Sequence, residues 1–98
     1  MKTITIESIE VLDEELQTEV HHTFGMEHYT DYVFKPRGGK TYSATIVYED
    51  SRKVIKNVEE RSVKFPDYQF RLEDLDMDTG VIKIYTIKNG SITKIESC

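Results

Sequence analysis

Apolar and polar residues alternate one for one through much of this 98-residue chain. In "TYSATIVYE", Tyr42, Ala44, Ile46 and Tyr48 fall on one side of an extended backbone, and Thr41, Ser43, Thr45 and Val47 on the other. In "DYQFRLED", Tyr68, Phe70 and Leu72 oppose Gln69, Arg71 and Glu73. Successive side chains of a strand point to opposite faces, so each run predicts a strand with one buried and one wet face. "ITIESIEV" begins the same way. Ile4 and Ile6 share a face, Ile9 and Val11 take the other, and a bulge or strand end near Ser8 follows.

Turn residues punctuate these runs. "KPRGGK" lies between "YTDYVFK" and "TYSATIVYE". Pro36 fixes φ and Gly38 and Gly39 accept positive φ, which predicts a hairpin loop. "YEDSRK" reads as a second turn, leading into "VIKNVEERSVKF". "DMDTG" precedes "VIKIYTIK", and Asn89-Gly90, a strong short hairpin signal, joins that run to "SITKIES". Residues 67–96 therefore predict a three-stranded meander.

The segment 13–24 carries two patterns at once. As a helix, Asp13 is an N-cap, Glu14 and Glu15 suit the first turn, and Leu16, Val20 and Phe24 stack at i, i+4, i+8. His21 and His22 then fall in the last turn and Gly25 follows as the stop. As a strand, Thr18, Val20, His22 and Phe24 face one way and Glu19, His21 and Thr23 the other, with "VLDEEL" as a hairpin turn. The β-branched content and the neighbouring strands tip the expectation to strand. The fold expected is mainly β, a small antiparallel sandwich or partly open barrel of about six to eight strands. The alternative is α+β, with one helix near 13–24 packed on an antiparallel sheet. Length and the lack of a linker or repeat predict one domain, 1–98.

Composition narrows the class further. The chain is 38% hydrophobic and 32% charged, as in globular rather than disordered chains. Cys98 is the single cysteine, so no internal disulfide forms, which points to a reducing, cytoplasmic setting. Glu7 and Glu10 interrupt any apolar signal segment at the N-terminus, and no run is long enough for a membrane helix. Cys98 also lacks the three following residues that prenylation requires.

Charge is uneven along the chain. Residues 1–33 hold eight acids against Lys2 alone, a net −7. Residues 34–64 carry +4 and residues 65–98 carry −2, for a total of −5. Such asymmetry steers charged partners or drives self-contact when it survives folding, and is diluted when the charges intermix.

Motifs with specific chemistry fall short one by one. "EVHHTFGMEHYTDY" gathers His21, His22 and His28, but adjacent histidines diverge on a strand and merely complement the dipole at a helix C-terminus. It has neither HExxH nor paired CxxC spacing. "DLDMDTG" alternates Asp74, Asp76 and Asp78 like a calcium loop. However, Thr79 stands where the loop glycine belongs, and Tyr85 where the bidentate glutamate belongs. A hairpin turn with Gly80 at positive φ accounts for the same residues. "GGKT" lacks the earlier glycine of a phosphate loop, since Phe34 occupies that place, and a strand rather than a helix follows. Terminal Cys98 has nothing to hold it as a nucleophile. Tyrosines beside Lys35, Arg37 and Lys40 suit stacking on single strands, but a pI near 5.1 opposes phosphate binding.

The expectation is a non-enzymatic protein-binding module with no cofactor and no metal, in the manner of a small acidic inhibitor of a basic, nucleic-acid-binding partner. In size, acidity and lack of a catalytic constellation the chain resembles small inhibitor and immunity proteins as a type, on no specific motif. Its expected contact residues are Glu14, Glu15 and Glu19 for steering and Tyr29, Tyr32 and Phe34 as aromatic anchors. Two other readings stand beside it. One is an assembly subunit, a homo-oligomer joined through strand edges. The other is a metal- or small-molecule-binding protein centred on the histidines. Neither nucleic acid nor membrane is an expected partner.

Overall fold

β1 (Lys2–Ser8) is the strand around which the rest is built. In the computed structural model, residues 2–25, 32–33, 41–48 and 51–97 are described. The elements after β1 are α1 (Glu14–Thr23), β2 (Tyr32–Val33), β3 (Ser43–Tyr48), α2 (Ser51–Arg61), a 3₁₀ turn (Ser62–Lys64), β4 (Gln69–Asp76), β5 (Ile82–Lys88) and β6 (Ser91–Ser97). The strands form one six-stranded sheet in the order β2-β3-β1-β4-β5-β6, and every pairing is antiparallel. Among the described residues the sheet does not close on itself, and the fold is a mainly antiparallel β structure with two described helices.

Register follows the sequence alternation. Ile4 opposes Ile46 on β3 and Asp74 on β4, and Ile6 opposes Ala44 and Leu72. Directly opposed residues share a face, so Ile4, Ile6, Ala44, Ile46 and Leu72 form one apolar surface with Tyr42, Phe70 and Ile87, and Asp74 lies on the same face. Val20 and Phe24 of the first helical segment and Val54 and Val58 of α2 join the same core, which puts both helices on that one face. Phe24, Phe65 and Phe70 meet edge to face, with centroids 4.9 to 6.1 Å apart. β3 and β4 both run antiparallel to β1 and flank it, so the chain must cross β1 to connect them. α2 makes that crossing.

The meander expected at 67–96 is β4–β5–β6. Asn89 and Gly90 both have positive φ, 46° and 81°, as a two-residue hairpin turn between right-twisted strands requires. The tip also docks: the Gly90 amide donates to Ser62 Oγ at 2.8 Å, and Ser62 Oγ donates to the Glu59 carbonyl at 2.8 Å. β1 ends at Ser8, where the sequence placed its break. The pairing of β2 with β3, Tyr32 with Ile46, agrees with a hairpin there; its loop lies outside the described residues.

Two sequence expectations need correction. Segment 13–24 is a helix, not a strand. Asp13 Oδ1 accepts the Leu16 amide at 2.8 Å, a cap worth about 1 kcal/mol. Gln17, Val20, His21 and Phe24, at i, i+3, i+4 and i+7, turn inward together, which a strand cannot achieve. The C-terminal end is closed from α2: Asn57 Nδ2 donates to the Phe24 carbonyl at 2.7 Å and Arg61 Nη1 to the Thr23 carbonyl at 3.0 Å. These are carbonyls that an α-helix end leaves without intrahelical donors. The second correction concerns the run after "YEDSRK". From Ser51 it is α2, a helix that neither fold alternative contained. Val54 and Val58 at i and i+4 bury one face, and Arg52, Lys53, Lys56 and Glu60 wet the other.

Candidate functional site

The outer surface of α1 is the most distinctive charged feature among the described residues. At 100° per residue, Glu14, Glu15 and Glu19 fall within an arc of about 140°. All three are exposed, opposite the inward Gln17, Val20 and His21. Glu14 and Glu15 in the first turn meet the positive end of the helix dipole, which favours them. Glu19 has no such compensation. It lies one turn beyond Glu15, and like charges at i, i+4 cost a helix about 0.2–0.5 kcal/mol. The described ion pairs are elsewhere: Lys2 with Asp74, Lys56 with Glu60, Arg71 with Glu73 and Lys94 with Glu96. No described cation forms an ion pair with Glu14, Glu15 or Glu19. A shallow depression bordered by Glu14, Glu15 and Thr18 marks the surface between the first two turns.

The charge asymmetry of the sequence therefore survives folding in part. The acidic N-terminal segment shows as the outer face of α1. Arg52, Lys53 and Lys56 of the basic segment form the exposed face of α2. Arg61 is turned instead to the end of α1, held by Asn57 Oδ1 at 2.6 Å. Lys35, Arg37 and Lys40 lie outside the described residues.

Of the six expected contact residues, Glu14, Glu15 and Glu19 come together on one surface. Tyr32 is described only as backbone, in β2 at one end of the sheet beside β3. Tyr29 and Phe34 lie outside the described residues.

The histidines separate. His21 is buried and His22 exposed. Their rings are 6.5 Å apart and inclined at 67°. His21 Nδ1 lies 2.9 Å from the hydroxyl of Tyr42, the residue before β3, linking α1 to the start of that strand through the core. Sequence reading missed this link. Its signal was present in the helical spacing of Gln17, Val20, His21 and Phe24, where polar residues fill two of four inward places. His28 lies outside the described residues. Among the described residues, no three or more His, Cys, Asp or Glu side chains are grouped to hold a metal ion.

The aspartates of "DLDMDTG" divide their roles. Asp74 lies on the helix face of β4, buried, 3.7 Å from Lys2 Nζ, and its Oδ1 has no hydrogen-bond partner among the described residues. Asp76 Oδ1 accepts the amides of Asp78 at 2.9 Å and Thr79 at 3.4 Å. The Asp78 amide is the main cause holding the Asp76 carboxyl below the usual aspartate range. Gly80, at φ 74°, completes the turn as the sequence predicted. Lys2, Asp74, Asp76, Thr79, Val81 and Lys83 line a pocket of about 250 Å³ at this end of the sheet. It offers two carboxylates, two ammonium groups and the Thr79 hydroxyl.

Neither described helix is long and apolar enough to cross a membrane. No protein-family model matches the chain, and no curated protein or solved structure matches it either.

Proposed function

We propose that this chain is a non-enzymatic protein-binding module that presents the outer face of α1 to a basic partner, as a small inhibitor does. The observation that supports this is the grouping of Glu14, Glu15 and Glu19 on one exposed helix face, with no described cation paired to them. The helix beneath is fixed from three sides: the Asp13 cap, the inward Val20 and Phe24, and the Asn57–Arg61 contacts at its end. A rigid element carrying one sign of charge loses little entropy on docking and accelerates encounter with the opposite sign. Carboxylates of this kind compete with a phosphate backbone for a nucleic-acid-binding surface, which makes such a protein the favoured partner. Tyr29, Tyr32 and Phe34 are proposed as the aromatic anchors that supply affinity once charge has aligned the pair. The single cysteine supports a cytoplasmic setting.

The test is capture of binding proteins from the source cell, untagged, with identification by mass spectrometry. The reading expects a basic protein that binds at low salt and is lost when Glu14, Glu15 and Glu19 are replaced by lysine. Equal capture by wild type and the triple variant overturns it.

A further inference from the structure

β6 closes the strand order at one end, so among the described residues one of its edges has no strand beside it. Ser91 and Thr93 to Ser97 are exposed, and Ile95 is 63% exposed although it opposes Tyr85 on the helix face of the sheet. On the other face Lys94 and Glu96 flank Ile95, 3.6 Å from each other. An edge this open is a template for another strand. We propose that β6 pairs antiparallel with β6 of a second copy of this chain, with Ile95 opposite Ile95.

The charge pattern selects both the occupant and the register. In an antiparallel pair related by a two-fold axis, opposed residues share a face and are placed symmetrically about one centre. With the centre at Ile95, Lys94 of each copy meets Glu96 of the other, and two exposed isoleucines meet on the opposite face. Centring the pair on Lys94 or on Glu96 brings like charges together at the axis, which disfavours pairing. The triplet Lys94-Ile95-Glu96 is thus complementary to itself in one alignment.

Pairing is also bounded. The β5–β6 register shifts between Thr86 and Ile87, leaving Thr93 as the extra residue of a bulge, which limits the straight edge to the C-terminal half of β6. A short edge predicts a weak, reversible dimer rather than an obligate one. Because the interface is isologous, it closes after two copies. At the other end of the sheet, β2 is described over Tyr32–Val33. An axis perpendicular to the sheet keeps both helix layers on one side, so the dimer presents two acidic α1 faces together. The proposal does not rest on the inhibitor reading, since it uses none of the residues assigned to partner contact.

Sedimentation velocity of the full chain, from low micromolar to submillimolar concentration, tests it. Wild type is expected to shift from monomer to dimer across that range. Lys94→Glu and Glu96→Lys are each expected to weaken association about tenfold or more. An equimolar mixture of the two single variants restores the dimer, because each supplies the charge the other lost. The double variant Lys94→Glu/Glu96→Lys associates as wild type does. Circular dichroism checks that each variant remains folded, and the wild-type series stands on its own if one does not. A wild type that stays monomeric throughout, single variants that dimerise unchanged, or a mixture that fails to restore association overturns the proposal.

Discussion

His21 Nδ1 sits 2.9 Å from the hydroxyl of Tyr42 inside the core, and this contact joins the helix carrying the acidic face to the sheet beneath it. Both side chains are nearly or fully buried, so the hydrogen bond is shielded from water. Tyr42→Phe keeps the ring and removes the hydroxyl. It is expected to cost about 1–3 kcal/mol, read as a lower urea midpoint with unchanged m value. In a domain of this length that is a fall of at least about 4 °C in Tm.

Glu19 separates function from stability. Glu19→Lys replaces a like-charge pair with Glu15 by an attractive one and places a cation toward the C-terminal half of α1. Folding stability is expected to rise by about 0.5 kcal/mol in denaturant titration. Partner binding is expected to weaken in the same variant. A residue retained for folding alone would show the opposite stability change.

Two glycines with similar φ differ in what surrounds them. At Gly90, φ 81°, an added Cβ would stand 2.7 Å from Val63 Cγ1, whereas at Gly80, φ 74°, nothing lies within 4 Å. Gly80→Ala meets only the backbone penalty, about 1 kcal/mol. Gly90→Ala adds a clash where the hairpin tip docks on the turn after α2, and is expected to cost about twice as much or more. Thermal denaturation of the two variants side by side checks the order.

Acid titration isolates the Asp76 turn. Its carboxyl is held below the usual range chiefly by the Asp78 amide, so the folded state favours the ionised form. The contribution is complete above the ordinary aspartate pKa of about 4 and fades as pH falls through the lower folded value. Asp76→Asn keeps an oxygen to accept the two amides but loses the charge. The stability difference between wild type and this variant is expected to be constant near neutrality and to shrink as the solution is acidified below about pH 4. A difference that does not change with pH would mean the charge contributes nothing to the turn.

The antiparallel meander was legible because period-2 alternation and the Asn89-Gly90 turn agree with each other over three strands. α1 was not, because Thr18, Val20 and Thr23 satisfy a strand pattern as well as a helical one. What decides between them is tertiary: Phe24 meets Phe65 and Phe70, and Asn57 and Arg61 supply donors from a helix far along the chain. α2 was hidden because Val54 and Val58 are few among charged residues and follow a turn signal. The acidic composition of the candidate site was readable from the chain. Its gathering onto one face depends on the helix, and so could not be read before the helix was known. His21 shows the converse, since the same helical turn that exposes Glu19 takes a histidine into the core.

We propose that the acidic face of α1 steers a basic partner, and this is measured by the association rate with the captured partner at low and high salt, for wild type and for Glu14→Lys/Glu15→Lys/Glu19→Lys. The expected result is an association rate at low salt that falls steeply with added salt and drops about tenfold or more in the triple variant. A rate independent of salt and unchanged by the three reversals would contradict the claim.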